Sequence, residues 1–390
     1  MRLLSRAATA AATTVLGVGA AALAAGRYTA DAVLRPGPRS VPPGLDGTPL
    51  TVLDVRPGPA GEPGEVLLTG EVDARRPGVY GITGDDCHAV VGPPLDEPDG
   101  GVASGAPGPP VRRRLLAVVR GRLGPGTTVR LTPQAFPGDP RRTLGLDHLE
   151  VTLPGDLGPL PAWVLPGWRP TWVITVHGLG TTREHPLVVA PFLARTHLPV
   201  LVPAHRGDPG APRPPDGRFH LGHAEWPDLV AAMRFAVTQG AERLVLYGWS
   251  TGATMALLAA ARAELRDRVS GLVLDCPVLD PRDTVRRLAA ARGTPRRLLP
   301  LVEAAVRGVA PDLLPADGPG APLAAPTVPT LLLHSPEDTV APWRHTRALE
   351  RRNPRLTTLH TVRDAPHAAL WNTDPAGYEE TLRRFLTPLL

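Results

Sequence analysis

The segment Gly248-Trp249-Ser250-Thr251-Gly252 sets a serine between two glycines, each two residues away. The apolar run Leu244–Tyr247 before it reads as a strand, and the alanine-rich run Thr251–Arg262 after it reads as a helix. A serine on such a sharp strand-to-helix bend presents its hydroxyl, and small flanking residues let the backbones approach. The free N–H groups at the start of the helix face the point where negative charge would develop. The chemistry this suits is nucleophilic attack on a carbonyl. The plain alternative is a strand-end serine in a turn, and the choice depends on whether an acid and a base follow along the chain.

Both follow in the required order. His334-Ser335-Pro336-Glu337-Asp338 comes directly after the apolar run Thr330–Leu333, so Asp338 is the expected acid at a strand end. Its rivals are Glu337 beside it and Asp275 after the preceding strand Leu272–Leu274. Of twelve histidines, His367 stands after the strand-like run Leu356–Thr361 and before the last helix, where the base belongs. The bland alternative for it is a capped surface histidine. His360 lies within that strand and reads as packed or solvent-facing, and Asp364 is only three residues from His367. The oxyanion needs two donors. The backbone N–H of Thr251 is one, and that of Leu179, in the loop His177-Gly178-Leu179-Gly180, is the other. His177 is read as shaping that loop and not as a base. This chemistry needs no metal and no organic cofactor. The segment His220-Leu221-Gly222-His223-Ala224-Glu225 offers metal-ligand types but departs from the H-E-x-x-H pattern. It is expected to lead into a helix, with Glu225 and Asp228 in the first turn. Arg206-Gly207-Asp208 reads as a plain loop.

Strands alternating with helices from residue 166 onward argue for a parallel sheet with helices on both faces. Residues 281–325 break that rhythm with arginine- and leucine-rich helical pieces and a proline-rich run, and are expected to be an insertion above the sheet. Residues 50–165 carry short apolar runs bounded by turn pairs, which predicts a small β-rich accessory domain. Within it, Arg112 to Arg114 read as a solvated strand edge. Residues 31–49 are expected to be a linker, with proline and glycine punctuating Pro36 to Pro49.

Residues 1–30 form the leader. Arg2 and Arg6 precede an uncharged, mostly alanine stretch over 7–25. It is longer than a usual signal-peptide core and barely spans a bilayer. An uncleaved membrane anchor is the preferred reading, followed by a signal cleaved near Ala22-Leu23-Ala24 and then a cytoplasmic amphiphilic leader. The first two place the remainder outside the cytoplasm, on the membrane or secreted.

Composition sets outer limits. The 390 residues are 43% hydrophobic and 20% charged, which excludes wholesale disorder. The 49 prolines and 41 glycines fall just short of low complexity. All 42 basic residues are arginine, a skew expected of GC-rich coding DNA. A net charge of +5 on scattered arginines gives no footprint for nucleic acid. Cys87 and Cys276 are far apart in sequence and are not expected to pair.

With the segments Trp172–Gly178, Leu221–Trp226, Gly248–Gly252 and those holding Asp338 and His367, residues 165–390 resemble the α/β-hydrolase superfamily. The whole chain resembles a group of its high-GC bacterial members with an N-terminal hydrophobic segment and a β-rich region. The resemblance implies a mostly parallel α/β-hydrolase sheet and a serine hydrolase that cleaves carboxylic esters through a Ser-Asp-His triad. The group commonly has Met-Gly-Gly after the serine; here Thr251-Gly252-Ala253 departs from it, a local packing difference. Fold likeness cannot separate esterases from peptidases, thioesterases and acyltransferases. A β-rich region before the hydrolase is also similar to prolyl-oligopeptidase-like peptidases, although this one is far shorter than a propeller. A peptidase of that kind or of aminopeptidase type, and a non-catalytic surface protein on the same fold, are the alternatives.

Overall fold

The computed structural model describes residues 26–35, 42–45, 47–59, 62–95, 108–314, 323 and 325–390. The uncharged stretch over 7–25 lies outside them. Among the described residues no helix is long and apolar enough to cross a membrane.

The first described helix, α1, covers residues 26–34. Six strands follow: β1 (Leu50–Arg56), β2 (Gly64–Gly70), β3 (Tyr80–Thr83), β4 (His88–Pro94), β5 (Gly108–Arg120) and β6 (Thr128–Thr132). They close into an antiparallel barrel in the order β1-β2-β5-β4-β3-β6, which leaves no strand edge open. Alternate residues point inward, so Val66 and Leu68 of β2 meet Val111 and Leu115 of β5, Ile82 and Leu131 in one core.

The arginine run sits where the sequence reading did not expect it. β5 is paired on both sides, by β2 and by β4, so Arg112 to Arg114 are not at an edge. Strand alternation turns Arg113 alone inward, where it is fully buried. Its guanidinium donates to four carbonyls: Gly92 at 2.8 Å, Ala74 at 3.0 Å, Arg76 at 2.7 Å and Gly78 at 2.9 Å. Burial lowers its pKa to about 10, which leaves it charged at neutral pH. Arg113→Met would strand those acceptors, and a loss of roughly 3 kcal/mol or more is expected in chemical denaturation. An unchanged midpoint would show that the four bonds do not hold the barrel together.

A short helix, α2 (Pro140–Leu144), leads to the hairpin β7 (Leu149–Gly155) and β8 (Gly158–Leu165). The sequence reading kept this hairpin in the accessory domain. It instead extends the second sheet, with β8 antiparallel to β10 (Val200–Pro203), because a hairpin's turn signals do not say which sheet it joins. The other strands are β9 (Thr171–Val176), β11 (Arg243–Trp249), β12 (Val269–Asp275), β13 (Thr330–His334) and β14 (Thr357–Thr361). The sheet order is β14-β13-β12-β11-β9-β10-β8-β7, with every pair from β10 to β14 parallel. The helices after α2 are α3 (Ala190–Arg195), α4 (Trp226–Thr238), α5 (Thr251–Arg262), α6 (Pro281–Ala291), α7 (Leu299–Val309), α8 (Trp343–Arg352), α9 (Leu370–Thr373) and α10 (Pro375–Leu386). Val245 and Tyr247 of β11 face one core with α3 and α10, while Leu244 and Leu246 face the other with α4 and α5. Burial on both faces explains the continuous apolar runs of these strands.

Two packing features frame the site. The first is a roof in which α6 and α7 share a hydrophobic cluster with Ala30, Val33 and Leu34 of α1. Residues 26–35, which the sequence reading divided between leader and linker, thus belong to this roof. Asp31 pairs with Arg218 at 2.6 Å, and the Phe219 N–H donates to the Leu34 carbonyl at 2.8 Å. The second is the seam between barrel and sheet. Asn372 of α9 donates to the carbonyls of Val79 at 2.9 Å and Pro133 at 3.0 Å, and its own carbonyl accepts from the Val79 N–H at 2.7 Å.

Candidate active site

Ser250 joins β11 to α5 with φ 54° and ψ −114°, a conformation that L-residues rarely adopt. The glycines around it have direct steric causes. A Cβ at Gly248 would lie 2.3 Å from the Gly252 carbonyl oxygen, and one at Gly252 would lie 2.2 Å from that of Val176. The loop after β9 passes equally close, since a Cβ at Gly178 would lie 2.7 Å from that of Ser250. The Ser250 N–H donates to the Asp275 carbonyl at 2.8 Å, which ties the bend to β12. Thr251 and Leu179 flank the serine from α5 and from the β9 loop. Neither backbone N–H donates to a backbone acceptor among the described residues.

Three side chains from three strand ends meet here. His367 Nε2 lies 2.7 Å from Ser250 Oγ, and its Nδ1 lies 2.7 Å from Asp338 Oδ2. The other Asp338 oxygen accepts from the N–H groups of Val340 at 2.7 Å and Ala341 at 2.8 Å. Burial alone would raise the Asp338 pKa. The facing charge of His367 and hydrogen bonds from His334 and His367 outweigh it and hold the carboxyl well below the usual range. All three residues are buried, Ser250 being 5% exposed.

The sequence rivals are placed elsewhere. Glu337 is exposed and accepts from Ser335 and the Asp364 N–H. His360 is half-buried on β14 with its ring near Thr381. Asp275 turns beneath the sheet and accepts from the Tyr378 hydroxyl at 2.7 Å. Burial pushes its pKa up to about 6. An acid whose pKa is raised by folding stabilises the fold least when ionised, so stability falls as pH rises from about 4 to 6 and is level above. Asp275→Asn keeps an acceptor for Tyr378 and removes that fall. It is expected to gain up to about 3 kcal/mol at pH 7.5 and little below pH 4. Thermal melts at both values test this, and equal gains at both would reject the ionisation argument.

The His177 loop is braced more strongly than a sequence can show. His177 Nε2 lies 2.7 Å from Asp208, and its ring stacks on His205 at 4.2 Å. Asp208 also accepts from the His205 N–H at 2.8 Å. Arg206 makes a two-pronged pair with Asp228 at 2.9 and 2.6 Å. The segment Arg206-Gly207-Asp208 is therefore a brace, not the plain loop expected of it. Glu225 spends its carboxylate on the N–H groups of His220 and Gly222, both at 2.8 Å.

Three contributions escaped the sequence reading. His334 Nε2 lies 3.2 Å from Asp338 Oδ2 and 3.1 Å from the Ala341 carbonyl, two acceptors, so this nitrogen carries the proton. Its Nδ1 lies 2.7 Å from the Thr346 hydroxyl. Gly44 packs against His367, and a Cβ there would lie 2.4 Å from that of the histidine. Cys276 buries its thiol beside Asp338 and His367, and its pKa is driven well up by desolvation. Both cysteines are free and lie in separate cores. A cavity of about 940 Å³ opens beside the roof against His223, Leu279, Leu313 and Arg352, and Ser250 is not part of its wall.

Residues 171–296 match the family described as "alpha/beta hydrolase fold". Residues 51–132, almost the span of the barrel, match one described as "Domain of unknown function (DUF8805)". An esterase from Pyrococcus furiosus superposes with a TM-score of 0.51 at 18% identity, covering 65% of this chain and 94% of that one. The same esterase in another crystal form gives 0.50 at 18% identity, with 65% and 96% covered. A thermophilic esterase from Thermogutta terrifontis gives 0.44 at 20% identity, with 62% and 99% covered. No curated protein sequence matches the chain. The second sheet and its helices are an α/β-hydrolase fold, preceded by a β-rich region that forms a barrel.

Proposed function

We propose that this chain is a serine hydrolase that cleaves carboxylic esters through an acyl-enzyme. The observation that carries the reading is the series of two 2.7 Å contacts linking Asp338, His367 and Ser250. Ser250 Oγ attacks the ester carbonyl while His367 Nε2 takes its proton. Asp338 keeps the other ring nitrogen protonated and stabilises the imidazolium. The Leu179 and Thr251 N–H groups stabilise the oxyanion, each contributing about 2.7–4 kcal/mol. The carbonyl–oxygen bond to the alcohol then breaks, and His367 returns the proton to the departing alkoxide. Water repeats the sequence in reverse and frees the acid and Ser250.

Esters are favoured over peptides because the region that suggested a peptidase is a closed six-stranded barrel and not a propeller. The test is a panel of p-nitrophenyl esters of increasing acyl length beside aminoacyl amides. Ester turnover with a stoichiometric burst is expected. Turnover of the amides alone would replace the proposal with the peptidase reading. The uncharged stretch over 7–25 is proposed as an uncleaved membrane anchor, which predicts an intact N-terminus in the membrane fraction. A mature N-terminus near Ala25 in the medium would mean a cleaved signal.

A further inference from the structure

We infer that the outer end of the roof is a docking surface for an anionic lipid bilayer, with Arg27, Arg292, Arg296 and Arg297 meeting the headgroups. The inference rests on the anchorage proposed above and specifies which face of the catalytic half the anchor presents to the membrane.

Charge is the first argument. Between Thr284 and Val302 the chain carries five arginines and no acidic residue, whereas over its whole length 42 arginines stand against 37 acids. Compositional bias toward arginine does not explain the missing acids. Arg286 pairs with Glu303 from α7, and Arg287 donates to the Asp338 carbonyl at 3.3 Å. Arg296 and Arg297, on the turn between α6 and α7, are exposed and have no acidic partner among the described residues, and the same holds for Arg27. Arg292 is exposed beside them, and among the described residues its guanidinium donates only to the Leu288 carbonyl, at 3.0 Å.

Position is the second argument. A Cβ at Gly26 would lie 3.1 Å from the Leu301 carbonyl oxygen, so the start of α1 abuts the start of α7. In sequence, Gly26 directly follows the uncharged stretch, so the described chain begins against α7, a few residues from Arg296 and Arg297. Tyr28, 78% exposed, is an aromatic of the kind that settles at headgroup depth. A basic cluster next to an anchor is the pattern that binds an anionic leaflet.

Coupling to the site is the third. The cluster that unites α1, α6 and α7 continues to Leu179, Leu221 and Val340. Gly222, next to Leu221, sits against the Thr251 carbonyl, where a Cβ would lie at 2.5 Å. One end of the roof thus borders the serine and the other carries the arginines. Docking at the outer end therefore acts on an element packed continuously to the surroundings of Ser250.

The test uses the full chain with Ala291→Cys, an exposed position whose probe will not compete with the buried Cys87 and Cys276. A nitrobenzoxadiazole label there should brighten about two-fold or more on vesicles containing phosphatidylglycerol and be quenched by doxyl lipids, with little change on phosphatidylcholine. Arg292→Ser, Arg296→Ser and Arg297→Ser combined should weaken this docking by about 10²-fold, at roughly five-fold per arginine, and leave hydrolysis of a soluble ester unchanged. Equal emission on both vesicles, or a response untouched by the triple variant, overturns the docking surface. Flotation on phosphatidylcholine vesicles reads the anchor separately. A chain that stays in the aqueous layer there rejects the anchor, and if it also ignores anionic vesicles the docking surface falls with it.

Discussion

Ser250→Ala should remain folded, lose all labelling by a fluorophosphonate probe, and lose ester turnover by on the order of 10⁵-fold or more. The reason is geometric. His367 Nε2 has one hydroxyl at 2.7 Å, and removing it leaves the oxyanion donors and a base with no nucleophile to activate. Equal labelling of wild type and variant would take the nucleophile's role from Ser250. A companion variant separates activity from architecture. At φ 54° a serine is strained where a glycine is not, so Ser250→Gly should be equally inactive and about 1 kcal/mol more stable. The strain is the cost of lifting the hydroxyl toward the base.

Asp338→Asn should lower turnover about 10⁴-fold with little change in the fold. The Val340 and Ala341 N–H groups require an acceptor, so the new amide places its oxygen toward them. Its NH₂ then faces His367 Nδ1, which must become the acceptor. The ring proton moves to Nε2 and points at Ser250, so the base can no longer take a proton. The buried NH₂ also opposes the Nε2 proton of His334, which adds a modest loss of stability. Turnover near wild type would mean that another group orients the base. Asp275→Asn, held by Tyr378 on the far side of the strand end, should leave turnover nearly intact and serves as the control.

The central part of this site could be read in advance because local rules determine it. The glycines two residues either side of Ser250 report close approaches, of Gly248 to Gly252 within the bend and of Gly252 to the end of β9. Asp338 follows an apolar run visible by itself, and His367 follows a threonine-rich, strand-like segment. The contact of His334 with Asp338 was invisible because His334 ends the strand β13, where a buried histidine looks like any strand residue. The brace from Asp208 to His177 joins residues 31 positions apart, and no short pattern encodes such a distance. Arg113 misled for a related reason. A run of three arginines looks solvated until the pairing of both neighbouring strands is known. Residues 149–165 read as part of the accessory domain but form a hairpin of the second sheet, since turn chemistry does not specify which sheet a strand joins. For α1, a proline-punctuated stretch directly after it obscured the fact that its apolar side packs into the roof.

The seam between barrel and sheet has a practical consequence for anyone dividing this molecule into parts. Asn372, clasped by Val79 and Pro133 of the barrel half, stands five residues after His367, and Gly44 presses on His367 itself. The windows recognised by similarity, 51–132 and 171–296, exclude Asp338, His367 and both of those clasps. A fragment cut at those limits keeps Ser250 with Leu179 and Thr251 but discards the Asp338 and His367 side chains that line up behind its hydroxyl. A piece that contains the site with its supports begins well before the barrel, at α1 of the roof, and runs to the last helix.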